Sequence, residues 1–73
     1  MDKQIGNFKY SIRPYKDGYE QDVFQFIVMS LQDPLFNEWR IEAMDIEATE
    51  EQAEGTAIEI ITFLAASEML VEE

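Results

Sequence analysis

The 73-residue chain contains no cysteine and no histidine. Without these residues it can form no disulfide, and it lacks a thiol nucleophile, an imidazole base and the usual protein ligands of zinc and haem. Its three glycines, Gly6, Gly18 and Gly55, are scattered along the chain, so they form no loop that could cradle a phosphate. No serine or threonine lies in a nucleophile motif. We therefore expect a protein that is not an enzyme, with no catalytic residue, no cofactor and no metal site.

Long apolar runs are also missing. No stretch reaches the length of a membrane span, and Met1 leads into polar residues rather than into an apolar signal segment. We expect a protein that is not exported and has no membrane partner, located in the cytoplasm, or in the host cytoplasm if it is encoded by a phage. The length predicts a single small domain over residues 1–73 with frayed ends.

Basic residues are scarce, with five against sixteen acids and a net charge of −11. Four of the five bases lie within residues 1–16, whereas residues 17–73 hold fifteen acids and only one base, Arg40. A field of this sign repels nucleic acids and membrane surfaces and attracts basic partners. The composition therefore predicts no direct binding to nucleic acid. About half of the chain, 47%, is hydrophobic, so the acids should lie on a folded body.

The C-terminal third gives the clearest structural signal. Thr49-Glu50-Glu51-Gln52 has the pattern of a capping box, in which a threonine hydroxyl and a glutamine side chain satisfy the first amides of a helix. The pattern predicts a helix over about 49–71. Its core stripe is formed by Ala53, Ala57, Ile60, Ile61, Leu64 and Val71, with Phe63 and Leu70 on one flank. A second apolar face suggests a dimer contact through this helix, and it consists of Ile58, Ala65, Ala66 and Met69.

Two strands are expected earlier in the chain. Phe8, Tyr10 and Ile12 alternate with polar residues, which predicts a strand over about 7–15 with one buried face. A second strand is expected over about 39–47, with Trp39 and Ile41 pointing inward. Between the strands, Asp33-Pro34 is expected to begin a short helical turn.

Residues 19–32 allow two interpretations. Polar residues between 21 and 33 fall on one helical wedge, which favours a helix over about 19–32. The fold is then α+β, with a two-stranded sheet packed by two helices in the order strand, helix, strand, helix. The alternative starts from Asp17-Gly18, a hairpin signal. It gives an N-terminal β-hairpin, a third strand and one C-terminal helix.

An acid-rich segment follows the predicted turn and offers a binding surface. Two of its acids occupy the first turn of the helix, where carboxylates favour the helix dipole, but the others have almost no bases near them in sequence. The acids that we expect to bind a partner are Glu38, Glu42, Asp45, Glu47, Glu50, Glu51 and Glu54. Phe36 and Trp39, beside Pro34, are the candidates for an apolar anchor.

These features predict a non-enzymatic acidic protein that occupies the basic nucleic-acid-binding site of a partner protein and inhibits it by mimicry. In size and charge the chain resembles the small acidic proteins with which phages counter restriction and CRISPR systems, although no motif carries that resemblance. The alternative is a structural or adaptor module that assembles or homodimerises through its last helix, with the acids serving solubility.

Overall fold

Four antiparallel strands and one helix form the described part of the chain. The computed structural model describes residues 1–19 and 21–70, and it describes their side chains as far as Glu68. In chain order the elements are β1 (Asp2–Ile5), β2 (Phe8–Lys16), β3 (Asp22–Asp33), β4 (Glu38–Glu47) and α1 (Glu50–Leu70). The strands form one sheet in the order β1-β2-β3-β4, and every neighbouring pair is antiparallel.

The helix lies across one face of the sheet, which we call the covered face. The fully buried side chains there include Tyr10 and Ile12 of β2 and Phe26 and Val28 of β3. Facing them on α1 are Ala53, Ala57 and Ile61. The two alanines have no exposed surface, and their small side chains allow the helix to pack close to the sheet. The core is therefore a single layer between the helix and the two middle strands.

The predicted helix over 19–32 is wrong, because residues 22–33 form β3, the longest strand of the sheet. The helical interpretation assumed that a strand would need a polar side. As a middle strand, however, β3 is apolar on both faces, with Phe26 and Val28 toward α1 and with Ile27 and Met29 on the opposite side. Branched and aromatic residues are also those that favour strands. The hairpin alternative, with one C-terminal helix, fits better.

The two-stranded sheet is also wrong, because the N-terminal segment that was expected to fray forms β1. Asp2–Ile5 pairs with β2 through a turn at Gly6-Asn7. The Met1 ammonium group donates to the Ile12 carbonyl at 3.0 Å, and the Ile12 amide donates to the Met1 carbonyl at 2.8 Å. These reciprocal bonds hold the first residue in the sheet. The expected strands at about 7–15 and 39–47 are present, as β2 and β4.

A turn over residues 34–37 joins β3 to β4 and replaces the short helical turn that Asp33-Pro34 suggested. The Asp33 carboxylate accepts from the Leu35 amide at 3.0 Å, and Asn37 has a φ of 55°. Asparagine tolerates this left-handed conformation better than most residues. The tight turn directs the chain straight back into β4.

The C-terminal helix begins where the capping pattern predicts. The Gln52 amide donates to the Thr49 hydroxyl at 3.1 Å, and the Ala53 amide donates to the Thr49 carbonyl at 3.0 Å. The expected core stripe is present at Ala53, Ala57 and Ile61, with Ile60 and Leu64 partly buried beside it. The part of this stripe at Leu70 and Val71 lies outside the side chains that the structure describes.

Candidate binding surfaces

Most of the scarce bases are held in ion pairs with nearby acids. Among the described residues the pairs are Lys3 with Glu54 at 3.5 Å, Arg13 with Asp2 at 3.8 Å, Lys16 with Asp22 at 2.8 Å and Arg40 with Glu42 at 3.1 Å. The fifth base, Lys9, places its ammonium group 4.2 Å from the centre of the Trp39 ring. The bases thus neutralise particular carboxylates and leave the others uncompensated.

Three of the seven predicted binding acids turn toward the protein itself. Glu54 is half-buried and accepts from the Tyr10 hydroxyl at 2.7 Å. This hydrogen bond, with a smaller contribution from Lys3, holds the pKa of Glu54 below its usual value. Burial, reinforced by the same bond, raises the pKa of Tyr10 to about 12. Glu54 therefore joins the helix to β2 rather than facing a partner.

Glu42 and Glu47 are engaged in the same way from β4. The Glu42 carboxylate accepts from the buried Ser30 hydroxyl and from the Arg40 guanidinium, and the Ser30 bond is the main reason that its pKa is lowered. Glu42 is the extra residue at a bulge between Val28 and Met29 of the neighbouring strand, which turns it toward the covered face. Glu47 accepts from the Thr56 hydroxyl of α1 at 3.0 Å.

The other four predicted acids, Glu38, Asp45, Glu50 and Glu51, are exposed. Asp45, Glu50 and Glu51 lie together, because α1 begins only three residues after β4 ends. Glu38 opens β4 and lies about 23 Å from Asp45 along the strand. The structure therefore gathers only part of the predicted set.

Glu59 also belongs to this group, although it was not among the predicted site residues. It is exposed on α1, three residues after Thr56, whose hydroxyl bonds to Glu47 of β4. Residues three apart on a helix are neighbours, so Glu59 lies on the flank toward β4. We use the name acidic surface for the four exposed acids Asp45, Glu50, Glu51 and Glu59. The spacing between Thr56 and Glu59 identifies Glu59 as a site residue only after the structure shows that β4 lies beside Thr56.

The two candidate anchors have different environments. Phe36 is 75% exposed at the turn between β3 and β4, beside Leu35, which is 88% exposed and was not predicted. Trp39 is half-buried, and its indole N–H donates to the Asn37 side chain at 2.9 Å. Its ring faces Lys9 on the sheet. The expectation that Trp39 and Ile41 point into the core is wrong, since Ala43 is the β4 residue packed there.

The predicted dimer face of the helix is only partly free. Ile58 is 40% exposed and Ala66 is exposed, but Ala65 packs against the core. Met69 lies outside the described side chains. Phe63 was expected to flank the core stripe and is instead 70% exposed, because the sheet covers only one side of α1.

The side of the sheet away from the helix carries a surface that the sequence did not reveal, which we call the open face. Lys9 contacts Trp39 there, and Asp2 bonds to Ser11 and pairs with Arg13. Strand alternation and register place eight apolar side chains on the β3 and β4 half of this face. These are Val23, Ile27, Met29, Leu31, Trp39, Ile41, Met44 and Ile46. The alternation of apolar and polar residues in β4 is visible in the sequence. It does not show whether the apolar residues face the helix or solvent, because this depends on where the helix lies.

Two further observations concern the part of the chain that the structure describes. Within residues 1–19 and 21–70, no group of three or more carboxylates is placed to hold a metal ion. The one helix in those ranges is not long and apolar enough to cross a membrane.

No protein-family model matches the chain, and neither the curated proteins nor the solved structures provide a match. The functional argument therefore rests on the surfaces described above.

Proposed function

We propose that this chain is a non-enzymatic binding protein that uses its acidic surface to occupy the basic nucleic-acid-binding site of a partner protein. The observation that supports this is the absence of local bases. Among the described residues, none of the four ion pairs involves Asp45, Glu50, Glu51 or Glu59. Concentrated, exposed and uncompensated carboxylates present the kind of field that a phosphate backbone presents.

The mechanism has an electrostatic stage and a contact stage. A net charge of −11 accelerates encounter with a basic cleft and orients the molecule. Short-range contact then comes from exposed apolar side chains, for which Phe36 is better suited than the half-buried Trp39. Phe36 and Glu38 lie at one end of β4 and the acidic surface at the other, so the interface extends along that edge of the sheet. Competition for the cleft would inhibit the partner in the manner of the small acidic phage proteins.

Charge reversal at the acidic surface tests this proposal. The double variant Asp45→Lys, Glu59→Lys changes two exposed acids and avoids the first turn of the helix. The matched control Asp22→Lys, Glu68→Lys makes the same change in net charge at two exposed acids elsewhere. Each tagged protein is used to capture partners from the host lysate at about 0.05 M and about 0.5 M salt, a range over which screening changes strongly.

The proposal predicts capture of a basic nucleic-acid-binding protein that is released by added duplex DNA or RNA and by the higher salt. We expect the acidic-surface variant to bind this partner at least about tenfold more weakly, and the control to bind it nearly as the parent does. Capture that survives reversal of the acidic surface, or a partner indifferent to nucleic acid, would contradict the proposal. Circular dichroism confirms that both variants remain folded.

A second candidate function is an assembly module, and the observation that favours it is the open face rather than the last helix. Solvent-facing sides of antiparallel sheets are normally polar, whereas this one is apolar across β3 and β4. In this alternative the acids maintain solubility, and association is insensitive to reversal of the acidic surface.

A further inference from the structure

We propose that a second copy of this chain covers the open face, forming a two-fold symmetric dimer in which the β3 and β4 halves of the two sheets pack together. This inference does not depend on the proposed function, because it concerns the opposite side of the sheet from the helix. It also differs from the dimer that the sequence suggested, which used the outer side of α1.

The first support is the chemistry of the open face. Ile41 and Met44 are each 55% exposed and Ile46 is 40% exposed, all on β4. Ile27 and Met29 lie opposite Met44 and Ile41 on β3. Contiguous apolar patches of this kind on a small protein indicate an interaction site.

The second support is the distribution of charge, which selects the occupant. On β1 and β2 the open face carries two bases, Lys9 and Arg13, and one acid, Asp2, and on β3 and β4 its regularly paired residues are uncharged. These residues sum to +1, whereas the whole chain carries −11. Two copies that approached through any acidic side would bring like charges together, whereas approach through the open face would not. A second copy can therefore use this face despite the large net charge of the protein.

The third support is the symmetry that the charges allow. Lys9 and Arg13 form a basic strip along β2. If the two-fold axis ran perpendicular to the strands, the basic strip of one copy would face the same strip of the other copy. If the axis runs parallel to the strands and between β3 and β4, the apolar halves overlap instead. Each basic strip then lies outside the overlap, past the β4 edge of the other copy, so the two strips stay apart. Separation of the basic strips and apolar overlap therefore favour the same arrangement, with sheets about 10 Å apart.

The available area limits the strength of this dimer. Two strands of contact about 4.8 Å apart, over about nine residues of about 3.3 Å, give about 290 Å² per copy. The total of about 570 Å² for two copies, before the extra area of the side chains is added, is below the standard size of specific interfaces and fits a weak, transient one. We therefore expect a weak, reversible dimer that is dissociated at low micromolar concentration and populated toward about 1 mM.

Sedimentation equilibrium between about 1 µM and 1 mM tests the proposal, with Met44→Glu and Phe63→Glu as a matched pair. Both variants add one negative charge at an exposed apolar residue, but Met44 is on the open face and Phe63 on the outer side of α1. We expect Met44→Glu to weaken dimerisation by at least about tenfold and Phe63→Glu to leave it nearly unchanged. The uncharged variant Met44→Gln, which preserves side-chain length, should weaken it in the same direction.

A crosslinking measurement tests the axis, because the chain has no cysteine of its own. Ile27 and Met44 are paired across β3 and β4, so both lie beside the proposed axis. Because a disulfide cannot join Cα atoms more than about 7 Å apart, a short bismaleimide is used as the crosslinker. Ile27→Cys should give a crosslinked dimer, whereas Ile58→Cys on the helix should not. A monomer throughout the concentration range, loss of the dimer through Phe63→Glu alone, or crosslinking at Ile58→Cys alone would overturn the proposal. Partner capture by the acidic surface could succeed or fail independently of these results.

Discussion

The two faces of the sheet are made from the same strands but have different neighbours. Val28 and Ile27 are adjacent in β3, yet Val28 has no exposed surface against α1, while Ile27 is half-buried on the open face. One face is completed within the chain and the other is not. The comparison shows that apolar composition alone does not locate the core, because in this fold the helix decides which apolar face becomes interior.

The largest expected difference is between removal of a large side chain on the covered face and on the open face. Phe26 is 2% exposed beneath α1, and Phe26→Ala should lower the free energy of unfolding by about 3–5 kcal/mol because it leaves a cavity. Met44→Ala on the open face should change it by less than about 0.5 kcal/mol. Urea unfolding at low micromolar concentration, where the proposed dimer is dissociated, makes the measurement. Equal losses would show that the two faces are not energetically distinct.

The same comparison explains how far the sequence could predict the fold. The helix could be predicted because Thr49 begins it and its apolar stripe has a regular period. The strand at Phe8, Tyr10 and Ile12 could also be predicted, because only one of its faces is apolar. β3 could not, since a strand that is apolar on both faces has no period-two signal, and five polar residues happened to share a helical wedge. β1 has no buried residue at all, so nothing in its composition marks it as a strand.

The sequence could predict that the candidate site is acidic, but it could not predict which acids form the site. Their number is a property of the sequence and remains after folding. Their separation from the bases is only partly kept, because folding brings Lys3 to 3.5 Å from Glu54. The sequence does not indicate which carboxylates turn inward, because this depends on residues distant in the chain. Tyr10 engages Glu54, and Ser30 engages Glu42. Hydrogen bonds between residues distant in the chain therefore determine which of the predicted acids turn inward and which stay exposed.

A smaller difference is expected between the inner and outer sides of the helix. Ala57 has no exposed surface, and Ala66 is exposed two turns or more further along α1. Ala57→Leu should lower the free energy of unfolding by about 1–3 kcal/mol, because the added methylenes push the helix away from β3. Ala66→Leu, the same change on the free side, should have an effect below about 0.5 kcal/mol. Thermal unfolding of the two variants, compared with the parent, provides the measurement, and a tolerated Ala57→Leu would contradict close packing of α1 on the sheet.

The smallest difference concerns two phenols and is measured through its loss at alkaline pH. Tyr10 lies on the covered face, where burial and the hydrogen bond to Glu54 raise its pKa from 10.0 to about 12. The folded state therefore holds the phenol proton more tightly than the unfolded state does. This contribution to stability is fully present below about pH 10 and is lost as the pH rises through about 12. Tyr15, on the same strand, points to the open face and is 47% exposed.

Urea unfolding of the parent, Tyr10→Phe and Tyr15→Phe between about pH 9 and pH 12.5 separates the two phenols. The parent should lose stability over the alkaline range, while Tyr10→Phe should lose less because it lacks the Tyr10 phenol proton. Tyr15→Phe removes an exposed phenol from the same strand and serves as the substitution control. If Tyr10→Phe instead follows the parent, the bond between Tyr10 and Glu54 does not couple the helix to the covered face, and the packing of small side chains alone holds the two layers together.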